Sequence, residues 1–104
     1  MKTILFVATT AMLIIFNATT GTATDASVEL GKQLFNDPTL SSSTNERSCN
    51  SCHAGGDGLK HNQNNPNLTK IINTCIVGPL RGVELVDNSP EMLSLIMYIE
   101  SLGE

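Results

Sequence analysis

Two cysteines and a histidine lie close together near the middle of the chain. Cys49, Cys52 and His53 form the pattern C-x-x-C-H. Two intervening residues let the backbone curl so that both thiols reach the vinyl groups of one porphyrin, and the next residue carries an imidazole to its iron. The motif therefore predicts one covalently bound haem c, with His53 as the first axial ligand of the iron.

Two other kinds of site use the same residue types. A thioredoxin-like redox pair also separates its cysteines by two residues, but it lies between alternating strands and helices, a pattern that this sequence lacks. A zinc site would need ligands from a second cluster, and His61 with Cys75 would make an irregular complement. We therefore interpret the motif as a haem attachment site.

The motif does not determine the second axial ligand of the iron. Electron-transfer cytochromes usually supply methionine or histidine, yet residues 76–89 contain no methionine. The remaining candidates are Cys75, His61, Met92 and Met97. Cys75 is favoured because a thiolate is a strong ligand for ferric haem and because this residue lies on an apolar helical face. Core packing is the simpler role for the two methionines.

Three helical segments must position these residues. The first covers about residues 26–36, with Asp25 as a possible N-cap. The second covers about residues 65–75, and the third covers residues 90–102 after Ser89 as N-cap. Polar segments rich in Ser, Thr, Asn and Gly separate the helices and are typical of loops. The pattern predicts an all-α fold of three main helices around the cofactor.

The two ends of this helical region resemble class I cytochromes c. The resemblance is carried by residues 31–35 (GKQLF), before the C-x-x-C-H motif, and by residues 98–102 (YIESL) at the end of the chain. In that family the first and last helices cross where a glycine meets an aromatic residue, and Gly31 and Tyr98 match those roles. The resemblance implies a small cytochrome c fold wrapped around one covalent haem.

A second stretch resembles the haem domains of thiosulfate dehydrogenases and of the catalytic cytochrome subunit of the sulfur-oxidation complex. The matching residues are Ile72-Asn73-Thr74-Cys75, Leu80, Gly82, Leu85 and Ser89-Pro90-Glu91-Met92. In those families the matching cysteine binds the haem iron opposite the motif histidine. The resemblance therefore implies that Cys75 is the second axial ligand.

Three functions remain open. We favour a carrier of single electrons, in which the iron changes valence between two filled axial positions and no substrate reaches it. The alternative is a haem-thiolate enzyme, or a subunit of one, in inorganic sulfur (thiosulfate) oxidation. A haem-based sensor or a peroxidase-like module would need an open coordination position, and peroxide chemistry would also need a second haem. We expect a carrier rather than an enzyme.

The first residues of the chain predict export. Residues 1–24 combine an N-terminal lysine, an apolar run and small residues before a cleavage position, which is the layout of a secretory signal peptide. The apolar run is shorter than the roughly 20 residues that cross a bilayer. We expect a periplasmic protein with one cytochrome c domain, residues 25–104, and no membrane span after cleavage of the signal peptide.

The charge of the chain restricts its partners. The net charge is −4, and the few basic residues are scattered along the sequence. This distribution argues against nucleic acid as a partner. We expect redox-partner proteins, and the acidity favours a basic docking surface on them.

Overall fold

The structure, a computed structural model, describes residues 25–103 and contains no strand in this range. Its four α-helices are α1 (Val28–Phe35), α2 (Cys49–Cys52), α3 (Leu68–Val77) and α4 (Pro90–Ser101). The prediction of an all-α fold with three main helices is confirmed, and α2 is a single additional turn that carries the motif cysteines. The signal peptide predicted for residues 1–24 lies outside the described residues.

The N-terminus of α1 differs from the prediction. Ser27, not Asp25, is the N-cap, and its hydroxyl accepts a hydrogen bond of 3.0 Å from the backbone N–H of Leu30. The backbone N–H of Ser27 donates in turn to the hydroxyl of Ser94, at 3.0 Å. Because Ser94 belongs to α4, a contact between distant parts of the chain selects the start of α1.

The N-terminus of α3 also lies later than predicted. Asn65 accepts two hydrogen bonds, from the N–H of Asn67 to its side chain at 2.9 Å and from the N–H of Leu68 to its carbonyl at 3.1 Å. This turn replaces the first helical turn expected from residue 65. The helix then continues past Cys75 to Val77. By contrast, α4 starts as predicted, after Ser89, whose hydroxyl caps the N–H of Met92 at 3.2 Å.

The first and last long helices cross at a glycine, as the resemblance to class I cytochromes c implied. A Cβ atom added to Gly31 would lie 2.0 Å from the carbonyl oxygen of Ser94 and 2.7 Å from the Cβ of Tyr98. Close to this crossing, the rings of Phe35 and Tyr98 meet edge to face, with centroids 5.1 Å apart. Only glycine lets α1 and α4 approach this closely.

One core joins the long helices to the segment after α3. The buried apolar residues are Phe35, Leu40, Leu68, Ile72, Ile76, Leu80, Met92, Leu95 and Ile99. The buried Asn73 holds that segment in place, since its side chain accepts from the N–H of Leu85 at 2.8 Å and donates to the Leu85 carbonyl at 2.9 Å. Within the described range, no helix combines the length and hydropathy that a bilayer crossing requires.

Candidate functional site

An apolar cleft opens between α2, α3 and the segment that follows α3. It encloses about 600 Å³ of empty space, including the solvent at its open mouth. Its lining contains Cys49, Cys52 and His53, and most of its other side chains are aliphatic. Cys75, from α3, lines the same cleft. The fold therefore brings the two predicted attachment cysteines and two predicted iron ligands, His53 and Cys75, together.

Local hydrogen bonds curl the motif into one helical turn. The N–H of Ser48 donates to the hydroxyl of Ser51, at 3.0 Å, and the N–H of His53 donates to the carbonyl of Cys49, at 2.9 Å. Just after the turn, the N–H of Gly55 donates to the side-chain carbonyl of Asn50, at 2.9 Å. These bonds fix the backbone that carries both thiols, in agreement with the curl inferred from their spacing.

The imidazole of His53 is oriented by the backbone beyond it. Its Nδ1 atom lies 2.8 Å from the carbonyl oxygen of Asp57. A carbonyl oxygen can only accept a hydrogen bond, so Nδ1 carries the proton. In the neutral ring, Nε2 then holds the free lone pair, which is the donor that a metal requires. The local fold thus prepares His53 to bind iron through Nε2.

Cys75 faces the attachment cysteines. All three thiols are free, and Cys75 is half-buried. Burial raises the pKa of Cys75, and the nearby Cys52 raises it further. The pKa of Cys49 is raised to about 11, mainly by burial and then by the proximity of Cys75. The mutual effects follow from the convergence of the thiols, and burial together with this convergence favours the protonated form of Cys75, whereas a bound cation would favour its thiolate.

The other three candidate ligands lie elsewhere. His61 is exposed in the loop between α2 and α3, and it does not line the cleft. Met92 is completely buried in the core, whereas Met97 is 39% exposed on α4. Neither methionine lines the cleft. Of the four candidates, only Cys75 is in the cleft, and its binding to iron stays a prediction.

The segment after α3 contributes a wall that the sequence pattern did not predict. Pro79 and Leu80 both line the cleft. The side-chain amide of Asn45 donates to the carbonyl of Pro79, and the N–H of Leu80 donates to the carbonyl of Cys75 at 3.1 Å. The Gly78-Pro79 pair was the available signal, because it ends α3 and favours a chain reversal at that point.

The cleft suits the cofactor that the motif predicts. Its apolar walls match the hydrocarbon faces of a porphyrin, two thiols are present for thioether bonds, and His53 presents a free Nε2 lone pair. Cys75 adds a sulfur donor to the same cavity. The residues present therefore fit a covalently bound haem.

Comparison with known proteins agrees with this fit. The family model described as di-haem cytochrome c peroxidase matches residues 25–98, a range that includes the motif, Cys75 and most of α4. No curated protein and no solved structure matches the chain. The match identifies a c-type cytochrome domain and implies a covalently bound haem c.

Proposed function

The chain belongs to the di-haem cytochrome c peroxidase family, and from this premise we propose that it is a c-type cytochrome that carries single electrons between redox-partner proteins. Family membership implies haem-based redox activity. The observation that supports the finer proposal is the convergence of Cys75 with Cys49, Cys52 and His53 on one apolar cleft. If Cys75 and His53 both bound the iron, no coordination position would remain for a substrate.

Each of these residues has a defined role in the proposed carrier. Cys49 and Cys52 would hold the haem through thioether bonds, and His53 would bind the iron through the Nε2 lone pair. Cys75 supplies an anionic sulfur, which favours ferric over ferrous iron and lowers the reduction potential relative to methionine ligation. When bound, haem supplies an iron that alternates between these two valences. Two filled axial positions would keep substrates away from the metal.

Two assays of the matured, haem-loaded protein test the carrier function. We expect reversible one-electron reduction, with negligible consumption of hydrogen peroxide and no oxidation of thiosulfate in the presence of an electron acceptor. Sustained turnover of either compound would refute a simple carrier. Carbon monoxide binding checks whether the iron has an open coordination position. The reduced wild type should bind carbon monoxide slowly, and the reduced Cys75→Ala variant is the positive control, because it should bind carbon monoxide rapidly.

A sulfur-oxidising enzyme is the second candidate. It is supported by the resemblance of residues 72–75 to thiosulfate dehydrogenases and to the sulfur-oxidation complex, and by the position of the half-buried Cys75 in the lining of the cleft. Thiosulfate oxidation that disappears in the Cys75→Ala variant would favour this enzyme. Peroxide turnover would instead favour the chemistry that the family description names.

The finer features of the protein are also proposals. We infer one haem, because the chain contains one C-x-x-C-H motif, and export to the periplasm, because residues 1–24 have the layout of a signal peptide. Mass spectrometry of the protein purified from a periplasmic fraction tests both proposals. The expected species begins near residue 25 and carries the mass of one haem. A chain that retains residue 1 would refute cleavage.

A further inference from the structure

A polar hollow adjoins the apolar cleft. Its lining consists of Asn45, Arg47, Gly78, Pro79 and Arg81, and contains no carboxylate from the described part of the chain. Pro79 lines both cavities. Arg47 also lies two residues before Cys49, the first attachment cysteine. The hollow is therefore at the rim of the cleft that would hold the haem.

Hydrogen bonds between two distant segments build this hollow. The N–H of Val83 donates to the carbonyl of Ser41 at 2.8 Å, the Ser41 hydroxyl donates to the Val83 carbonyl, and the Asn45 amide donates to the Pro79 carbonyl. A Cβ atom on Gly82 would lie 2.9 Å from the Ser41 carbonyl oxygen, so the segments are in close contact. The fold thus places both arginines in the lining of the same hollow.

The hollow differs in charge from the rest of the molecule. The chain has 10 acidic and 6 basic residues, yet Arg47 and Arg81 both line this one site and both are exposed. Exposed apolar side chains lie beside it in the sequence: Val77 is 48% exposed and Val83 is 64% exposed. Arginine and exposed apolar side chains are both features of protein docking sites.

We propose that this hollow, with Arg47 and Arg81 at its centre, docks an acidic patch of the redox partner, and that electrons pass at this rim of the cleft. The proposal rests on the electron-carrier function. The net charge of the chain predicted a basic docking surface on the redox partner, whereas the local charge of the hollow favours an acidic one. Charges farther apart than about 8–10 Å are largely screened at physiological salt, so the local pair determines which surface binds.

Two small redox reagents of opposite charge test the sign of the charge at the surface where electrons leave the protein. In each reaction one electron leaves ferrous haem, which becomes ferric, and reduces either hexacyanoferrate(III) to hexacyanoferrate(II) or tris(phenanthroline)cobalt(III) to its cobalt(II) form; no proton moves. At low ionic strength, the Arg47→Gln/Arg81→Gln variant should react with the anion roughly three- to tenfold more slowly than the wild type. Its reaction with the cation should be unchanged or faster.

Matched controls separate local charge from net charge. The Lys32→Gln/Lys70→Gln variant removes the same total charge from α1 and α3, outside the hollow, and should slow the anion much less. The Arg47→Lys/Arg81→Lys variant should restore the anion rate. The docking surface is refuted if the Arg47→Gln/Arg81→Gln variant reacts equally slowly with both reagents. It is also refuted if the Lys32→Gln/Lys70→Gln variant slows the reaction with the anion as much as the Arg47→Gln/Arg81→Gln variant does.

A polymer probe distinguishes a protein partner from a small ion. Poly-L-glutamate should slow the hexacyanoferrate(III) reaction of the wild type but not of the Arg47→Gln/Arg81→Gln variant. If inorganic phosphate at the same concentration of negative charge slows the hexacyanoferrate(III) reaction as much as the polymer does, the hollow is a small-anion site and the proposal is overturned. A pH-dependent shift of the midpoint potential in the glutamine variant would also overturn it, because the arginines would then pair with the haem carboxylates. Failure of both reagents to oxidise the reduced wild type would instead refute the carrier function.

Discussion

At the scale of single residues, the proposed haem binding depends on two donor atoms that differ in protonation. The Nε2 atom of His53 is available because the Asp57 carbonyl holds the proton on Nδ1. The sulfur of Cys75 becomes a strong donor only after it loses its proton, and burial raises its pKa and opposes that loss. Iron, as a cation, would supply the missing stabilisation. The surroundings of Cys75 therefore favour a thiolate that is bound to a metal over a free thiolate.

The first prediction concerns the iron-bound sulfur. Oxidised wild-type protein should give low-spin, thiolate-type electron paramagnetic resonance and absorption spectra, and Cys75→Ala should abolish them because the sulfur donor is lost. The variant should retain its haem through Cys49 and Cys52. Met97→Ala and His61→Ala, at positions outside the cleft, should match the wild type. Thiolate features that survive in Cys75→Ala would exclude this residue as the ligand.

At the scale of the helices, glycine at the α1–α4 crossing has a larger effect than its helix propensity suggests. Replacing a helical glycine by alanine normally stabilises an exposed helix by about 0.5–1 kcal/mol. At Gly31 the new Cβ would lie 2.0 Å from a carbonyl oxygen of α4. The helices would have to separate, so the steric effect reverses the sign expected from propensity.

The second prediction tests that reversal. Gly31→Ala should lower the free energy of unfolding of the haem-loaded protein by about 1–3 kcal/mol, the usual cost of overpacking. Urea titration followed by circular dichroism measures it. Gln33→Ala changes an exposed position of the same helix and should change stability by less than about 0.5 kcal/mol. An unchanged or increased stability of Gly31→Ala would contradict the crossing.

The third prediction concerns the loop after α3. Asn73→Ala removes a buried side chain that pairs with both backbone groups of Leu85. It should cost about 2–4 kcal/mol of unfolding free energy, since each unsatisfied buried group costs about 1–3 kcal/mol. Hydrogen exchange should become faster in residues 78–88. Asn67→Ala, at an exposed site, is the matched control. Equal effects of the two substitutions would contradict a stabilising role for the hydrogen bonds between Asn73 and Leu85.

At the scale of the whole molecule, the cofactor completes the interior. A domain of this size buries too little apolar surface to be comfortably stable without a staple, a metal or a cofactor. The apolar cleft is bordered by Phe35, Leu68, Ile72 and Ile99, all of which belong to the core. The haem site and the hydrophobic core are therefore one continuous structure, and loss of the porphyrin would expose core side chains.

The fourth prediction follows from this continuity. The Cys49→Ala/Cys52→Ala variant, which cannot form thioether bonds, should lose most of its cooperative thermal unfolding transition and part of its helical circular dichroism. Cys75→Ala keeps both attachment residues, so it should keep the transition, with a lower midpoint at most. If the double variant contains no haem and still unfolds as cooperatively as the wild type, the fold does not depend on the cofactor and the prediction is wrong.

Short-range interactions explain the features that were predicted correctly. The C-x-x-C-H spacing, the Ser89 cap and the apolar stripes of the long helices each depend on residues within a few positions of one another. The segment at 31–35 adds the crossing glycine through its resemblance to class I cytochromes c. These signals were sufficient for the all-α class and for the three main helices, whereas the haem-binding roles of Cys49, Cys52 and His53 stay predictions.

The sequence alone therefore determined which segments are helical, and it predicted which residues would hold a haem. The tertiary structure decided the selection among alternatives: Ser27 over Asp25 as a cap, Cys75 as the candidate ligand that lines the cleft, and Arg47 beside Arg81. Each choice depends on contacts between residues far apart in the chain. Such contacts form only when α1, α3 and α4 pack together, and no local pattern records them.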